Sequence, residues 1–421
     1  MNKIILFTFC CISTVSQNRA QWTAVGNVGN TIDISVVNAS TIWTAYNLNV
    51  YLSTNGGANF TSNFLGPNQL FAVWGISATT CYAGDQEGRV SITTNGGLNW
   101  QVVLNAGGPE GFINDIVFSR TNPMIGMVFS DPPTGAGGNV WLAKTTNGGN
   151  SWSIGSGPTS AGLVGSVNSL MIIDDQFYGY GLNGYSLVRI TTNGGTNWLS
   201  QNLGTGSGDV TSLAFSSDKM SGIGCRYFGQ NIAKTTNTGE NWITQNIGSS
   251  QAIVQCKWIE GTDIIYLSNG LIRKSTDRGN TWNIMTTGGL TNIRFIDFYK
   301  SGNNIYGYAV AISGEVLKLI DNVMGIQTIS SEIPDKFSLS QNYPNPFNLT
   351  TNIKFQIPKS GFVKLTVFDV LGKEIQVLIN RQLSPGTYEA DFEGSSLPSG
   401  VYYYKIETDV YVETRKMVLL K

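Results

Sequence analysis

The chain has 421 residues, with 26 Lys plus Arg against 27 Asp plus Glu, a net formal charge of −1, and no histidine. That balance gives neither nucleic acid nor an anionic membrane an electrostatic hold. The missing histidine removes a Ser-His-Asp triad, a Cys-His dyad, a histidine general base and His-ligated zinc, while the length predicts two or more domains.

Residues 1–20 read as an export signal. Lys3 supplies the positive charge, and the apolar run Ile4 to Val15 is too short to span a bilayer. Small Ala20 marks a cleavage point that leaves Gln21 first. No later stretch is apolar enough for a transmembrane helix. Cys10 and Cys11 fall inside the signal, leaving Cys81, Cys225 and Cys256. Three cysteines at wide spacing make no disulfide framework, so buried free thiols are expected.

From residue 21 to 320 one octet recurs. Its copies are STNGGANF (53–60), TTNGGLNW (93–100), TTNGGNSW (145–152), TTNGGTNW (191–198), TTNTGENW (235–242) and STDRGNTW (275–282). The spacing of about 40–50 residues is that of one four-stranded propeller blade. Ahead of each octet stand short β-rich runs bounded by Gly, Asn and Ser, as in Ile113–Phe118, Ile125–Phe129 and Val140–Thr145. Seven first strands are predicted, near 31–37, 70–76, 112–118, 166–173, 208–215, 252–259 and 292–298. The seventh unit stops at Gly314–Lys318 without an octet, so its outer strand is expected from Trp22–Val25, closing the ring with both ends of the domain.

The octet pattern S/T-x-D/N-x-G-x-x-W resembles the Asp-box, or BNR, repeat of sialidases, sortilin-type receptors and xyloglucanases. The whole unit is most similar to the repeats of photosystem II assembly-factor-like propellers, with residues 113–152 and 170–198 carrying most of the pattern. The resemblance implies a seven-bladed Asp-box β-propeller and leaves function open. A sialidase is disfavoured, because the Arg-Ile-Pro motif of that family is absent.

Composition turns polar over 321–336, which reads as a linker. Residues 337–421 then read as a small Ig-like antiparallel sandwich, with alternating runs such as Val363–Phe368 and Val401–Ile406. Asn342-Tyr-Pro-Asn-Pro-Phe347, Asp369-Val-Leu-Gly372, Leu397-Pro-Ser-Gly-Val-Tyr402 and the terminal Lys416-Met-Val-Leu-Leu-Lys421 resemble the C-terminal sorting domain of the type IX secretion system (Por secretion type A). On that resemblance Pro344, Asn345, Pro346, Phe347, Gly400, Tyr402, Lys416 and Lys421 belong to the sorting signal. It also implies a Bacteroidetes-type bacterium, and the secretion machinery with its sortase-like peptidase as partners. The resemblance further implies cleavage of the sorting domain in or near 321–336, with the cargo secreted or held at the outer-membrane surface.

Three sets of candidate residues follow. The boxes (Asn55, Asn95, Trp100, Asn147, Trp152, Asn193, Trp198, Asn237, Trp242, Asp277 and Trp282) are expected to be structural: Asn or Asp bonds its own turn and Trp fills space. Asn mostly stands where a Ca²⁺ site needs a carboxylate, so no metal or cofactor is expected. Asp33, Asp115, Asp209 and Asp297 recur on first strands and are channel candidates for acid–base or cation chemistry. Asp85, Glu87, Arg89, Asp131, Tyr185, Arg226, Tyr227 and Phe228 are binding candidates on the loop face opposite the boxes. The expected function is a non-catalytic surface module binding protein or glycan, the alternative a glycan-active hydrolase using the channel aspartates.

Overall fold

A computed structural model describes residues 21–421 apart from 108–110, 136, 160–161, 205–207, 228–230, 250, 303, 323–325, 331 and 395–396. The expected signal at 1–20 and the candidate Phe228 lie outside the described residues. All regular structure among the described residues is β, arranged as nine four-stranded antiparallel sheets.

Seven of these sheets occupy residues 23–322. Their innermost strands are Asp33–Val36, Leu70–Gly75, Ile113–Phe118, Met171–Ile172, Val210–Phe215, Gln255–Trp258 and Ile293–Ser301; the sheets are numbered one to seven in that order. Inner strands are buried on both faces because sheets cover them on both sides, whereas outer strands such as Gln101–Asn105 are largely exposed. An apolar core fills each gap between neighbours. Trp74 and Tyr82 of sheet two meet Phe118 and Trp141 of sheet three, for example, and Ile34 and Val36 of sheet one meet Tyr308 and Val316 of sheet seven.

That last contact closes a ring. Thr23–Asn27 supplies the outer strand of sheet seven, with Thr23 opposite Lys318 and Asn27 opposite Glu315. Trp22 is wholly buried just before it, edge-on to Phe298. The Tyr308 hydroxyl and Lys318 Nζ both donate to the Ala39 carbonyl of sheet one. The seventh unit thus receives its missing strand from the N-terminal end, as the sequence predicts.

The octets join third to fourth strands. In the second copy Thr93 Oγ1 accepts the Gly97 N–H at 2.9 Å, Asn95 Oδ1 accepts the Asn99 N–H at 3.0 Å, and Trp100 Nε1 donates to the Gly97 carbonyl. Gly97 has φ 90°, and a Cβ there would come within 2.6 Å of the Asn63 side chain, so only glycine fits. In each copy the turn also donates an N–H to the connection between first and second strands of its own sheet: Gly56 to Ser40, Gly96 to Thr79, Gly148 to Met124, Gly194 to Gln176, Thr238 to Met220 and Arg278 to Asp263. Boxes and first-to-second-strand turns therefore share one face.

Two further sheets form the C-terminal sandwich around Phe347, Phe355, Leu365, Tyr404 and Met417. Part of the segment expected as a linker is built into structure. Asp321 and Asn322 end the last strand of sheet seven, and Ile326–Ser330 pairs with Gly386–Glu393 as an edge strand of the sandwich. Its polar neighbours and Pro334 mask this short strand in the sequence.

Candidate functional site

The central channel is built by the inner strands. Asp33, Asp115 and Gln255 occupy one level, and each reaches across to the backbone of the next sheet. Asp33 Oδ2 accepts the Val73 N–H at 2.8 Å, Asp115 Oδ2 the Leu170 N–H at 3.0 Å, and Gln255 Oε1 the Ile296 N–H at 2.7 Å. The other carboxylate oxygens accept the N–H of the following residue, Ile34 and Ile116. Asp297 lies two positions further along its strand. Its Oδ2 accepts the Val36 N–H at 2.7 Å and pairs with Arg120 Nη2 at 2.5 Å, and Lys257 Nζ stands 3.9 Å from Oδ1.

These three aspartates line one cavity of about 400 Å³ with Trp74, Arg120, Lys257, Trp258, Glu260 and Lys300. Arg120, Glu260 and Lys300 lie at or just beyond the ends of first strands, so the cavity opens on the face that carries the boxes. Arg120 is fixed there from three directions: by Asp297, by the Val36 carbonyl at 2.8 Å, and by the Trp74 ring 4.5 Å below its guanidinium.

Burial dominates the electrostatics at the deep end. It pushes the Asp33 carboxyl well above the ordinary range, and the nearby Asp115 charge pushes in the same direction. Burial raises Asp115 to about 6, against Lys257 and the N–H groups of Leu170 and Ile116. Burial likewise raises Glu260, which Lys300 and Arg120 oppose.

Asp209 is not part of this cavity. Its Oδ1 accepts the Gly184 N–H at 2.9 Å and its carbonyl accepts the Tyr227 N–H, which puts it on the loop face before the inner strand begins. Recurrence along the sequence groups it with the others; the strand register separates it. Arg120, Lys257, Gln255 and Glu260 do not stand out in the sequence. Gln255 shares the level of Asp33 and Asp115 and does the same work with an amide, so a search for carboxylates passes over it.

Three of the loop-face candidates, Asp85, Arg89 and Asp131, are tied into the structure. Asp85 is buried, accepts the N–H groups of Glu87 and Arg89, and pairs with the Arg89 guanidinium at 2.8 Å. Asp131 accepts Asn114 Nδ2 at 2.7 Å and the Gly165 N–H at 2.6 Å, bracing sheets three and four. Arg226 is buried. Glu87, Tyr185 and Tyr227 are exposed there.

In the sandwich the motif residues weld the Asn342–Phe347 loop to the final strand. The Phe347 N–H donates to the Val418 carbonyl, the Leu420 N–H to the Phe347 carbonyl, and the Val418 N–H to Asn345 Oδ1. Pro344 and Pro346 follow cis peptide bonds. Phe347 is buried in the core, and buried Tyr402 donates its hydroxyl to the Pro398 carbonyl two residues before Gly400. Lys416 and Lys421 are exposed.

Ring and channel together define an all-β, propeller-type fold. Solved structures share it: YCF48 bound to D1 peptide, 16% identical with a TM-score of 0.54, covering 73% of this chain and 99% of that one; YCF48 from Cyanidioschyzon merolae, 14% identical, TM-score 0.52, covering 71% and 98%; and an ancestral GH74 enzyme, 13% identical, TM-score 0.52, covering 94% and 63%. Comparison with curated proteins gives no match. Residues 341–420 match the secretion system C-terminal sorting domain. The protein is thus a propeller fused to a type IX sorting tail, which directs export to the cell surface or extracellular space.

Proposed function

We propose that the exported propeller is a non-catalytic module that binds a protein or glycan ligand in the box-face mouth of its channel. The observation that carries this reading is the state of the two deepest carboxyls: both oxygens of Asp33 and of Asp115 accept backbone N–H groups, half of them from the neighbouring sheet. They act as clamps between sheets. A hydrolase needs one carboxyl to deliver a proton and another to attack or activate water. The mouth above them combines exposed Ile76 and Lys300 with Trp258 and Glu260, the mixture of apolar and polar groups usual for a small recognition site. One structural neighbour holds a peptide and another is an enzyme, so the fold by itself favours neither role.

The test is ligand capture by the mature propeller on a glycan array and in a pull-down from surface extracts. The same ligand should be held at least tenfold more weakly by Ile76→Glu and Lys300→Glu, which change exposed lining residues. Silence on both platforms, or full binding by both variants, contradicts the proposal.

One observation favours the hydrolase alternative. Asp115 is raised to about 6 beside a second buried carboxyl, an arrangement suited to a general acid. That reading requires a mechanism-based glycoside probe to label Asp33 or Asp115.

A further inference from the structure

Cys225 and Cys256 meet in the core between sheets five and six. Cys225 lies on Gly222–Arg226 and Cys256 on Gln255–Trp258, and both are buried. Their backbones are held in register through a third residue: Cys225 pairs with Ser212, whose Oγ donates to the Cys256 carbonyl at 3.2 Å. Cys256 Sγ stands 3.8 Å from the carbonyl of Ile223, two residues from Cys225 on the same strand, and both cysteines are free thiols in the structure.

The sorting tail sends this chain out of the reducing cytoplasm. We propose that Cys225 and Cys256 form a disulfide during export, covalently joining sheets five and six. The oxidant is a thiol–disulfide oxidoreductase carrying its own disulfide. One of the two cysteine thiolates attacks one sulfur of that disulfide, breaking it and forming a mixed disulfide. The thiolate of the other cysteine then attacks the first cysteine's sulfur, and the oxidoreductase leaves as a dithiol, carrying both electrons and the two protons lost by the cysteines. The step precedes closure of the core, because neither thiol is open to a protein partner afterwards. Cys81 is buried between sheets one and two in a different core and stays a thiol.

The full chain, made with its own signal in an oxidising periplasm, is to be denatured in alkylating reagent without reductant and digested with trypsin. Cleavage after Arg226, Lys234 and Lys257 places Cys225 and Cys256 on separate peptides. The expected product is a linked pair lighter than the two free peptides by two hydrogens, with Cys81 alkylated. Alkylation of both cysteines, or a link from either to Cys81, overturns the proposal. Reductant should also lower the thermal midpoint of the oxidised protein by about 5–10 °C and leave Cys225→Ser/Cys256→Ser unmoved. Equal midpoints for the wild-type protein with and without reductant contradict it.

Discussion

At the scale of single residues, the absence of histidine simplifies the titration of the molecule. Between pH 5 and 7 no side chain of ordinary pKa titrates, so carboxyls displaced upward by burial govern the pH dependence of folding. Asp115 is raised to about 6, Asp33 lies well above its usual range, and half-buried Asp391 of the sandwich is also raised to about 6. A carboxyl with a raised folded-state pKa favours the protonated fold. Its contribution is full below the unfolded value near 3.8 and is lost as the pH climbs through about 6. For Asp115 this amounts to about 3 kcal/mol. The urea midpoint should therefore rise on going from pH 7 to pH 5, and Asp115→Asn should shrink the rise. A flat or falling midpoint over that range would show that the clamp carboxyls titrate normally.

At the scale of elements, the box is a joint whose hydroxyl does much of the bonding. Thr93 Oγ1 accepts both the Asn95 and the Gly97 N–H, and five other Ser or Thr residues repeat the arrangement. Thr93→Val keeps the shape and removes that acceptor, leaving the buried Gly97 N–H unpaired, at a cost of about 1–3 kcal/mol in a denaturation series. Gly149→Ala should cost more, because its φ is 87° and the new Cβ would fall 1.9 Å from the Tyr82 hydroxyl. Ligand capture should survive Thr93→Val, since the box bonds its own turn.

Elements of this kind are readable in the sequence because the period, the turn glycines and the strand-like runs all repeat. The channel is only partly readable. Asp33 and Asp115 stand out by residue type, but their level relative to Asp297 depends on bulges such as those at Ile113/Asp115 and Ile293/Phe295, which shift the count along the strand. Arg120 reaches Asp297 across a separation of 177 residues, a contact that no local pattern encodes. The expected binding face rests on the general habit of loops to carry function, whereas Asp85, Asp131 and buried Arg226 are built into the structure on that face.

At the scale of the whole molecule, ring closure and export depend on the two ends of the described chain. Removing residues 21–27 takes away Trp22 and the strand that pairs with Glu315–Lys318, and so exposes an unpaired edge. The truncated protein should melt at a lower temperature and aggregate in a light-scattering assay, whereas full stability would mean that the closure contributes little. Ile326–Ser330 belongs to the sandwich, so a clean removal of the tail starts after Asn322. That truncation should fold but stay in the periplasm on fractionation; surface display of it would contradict export through the tail. The central claim is that the channel carboxyls hold sheets together and do not turn over substrate. Release of new reducing ends from a polysaccharide panel by the wild-type protein and by Asp115→Asn tests it most directly. The account predicts no release above the enzyme-free blank from either protein, and a wild-type turnover that collapses in Asp115→Asn would contradict it.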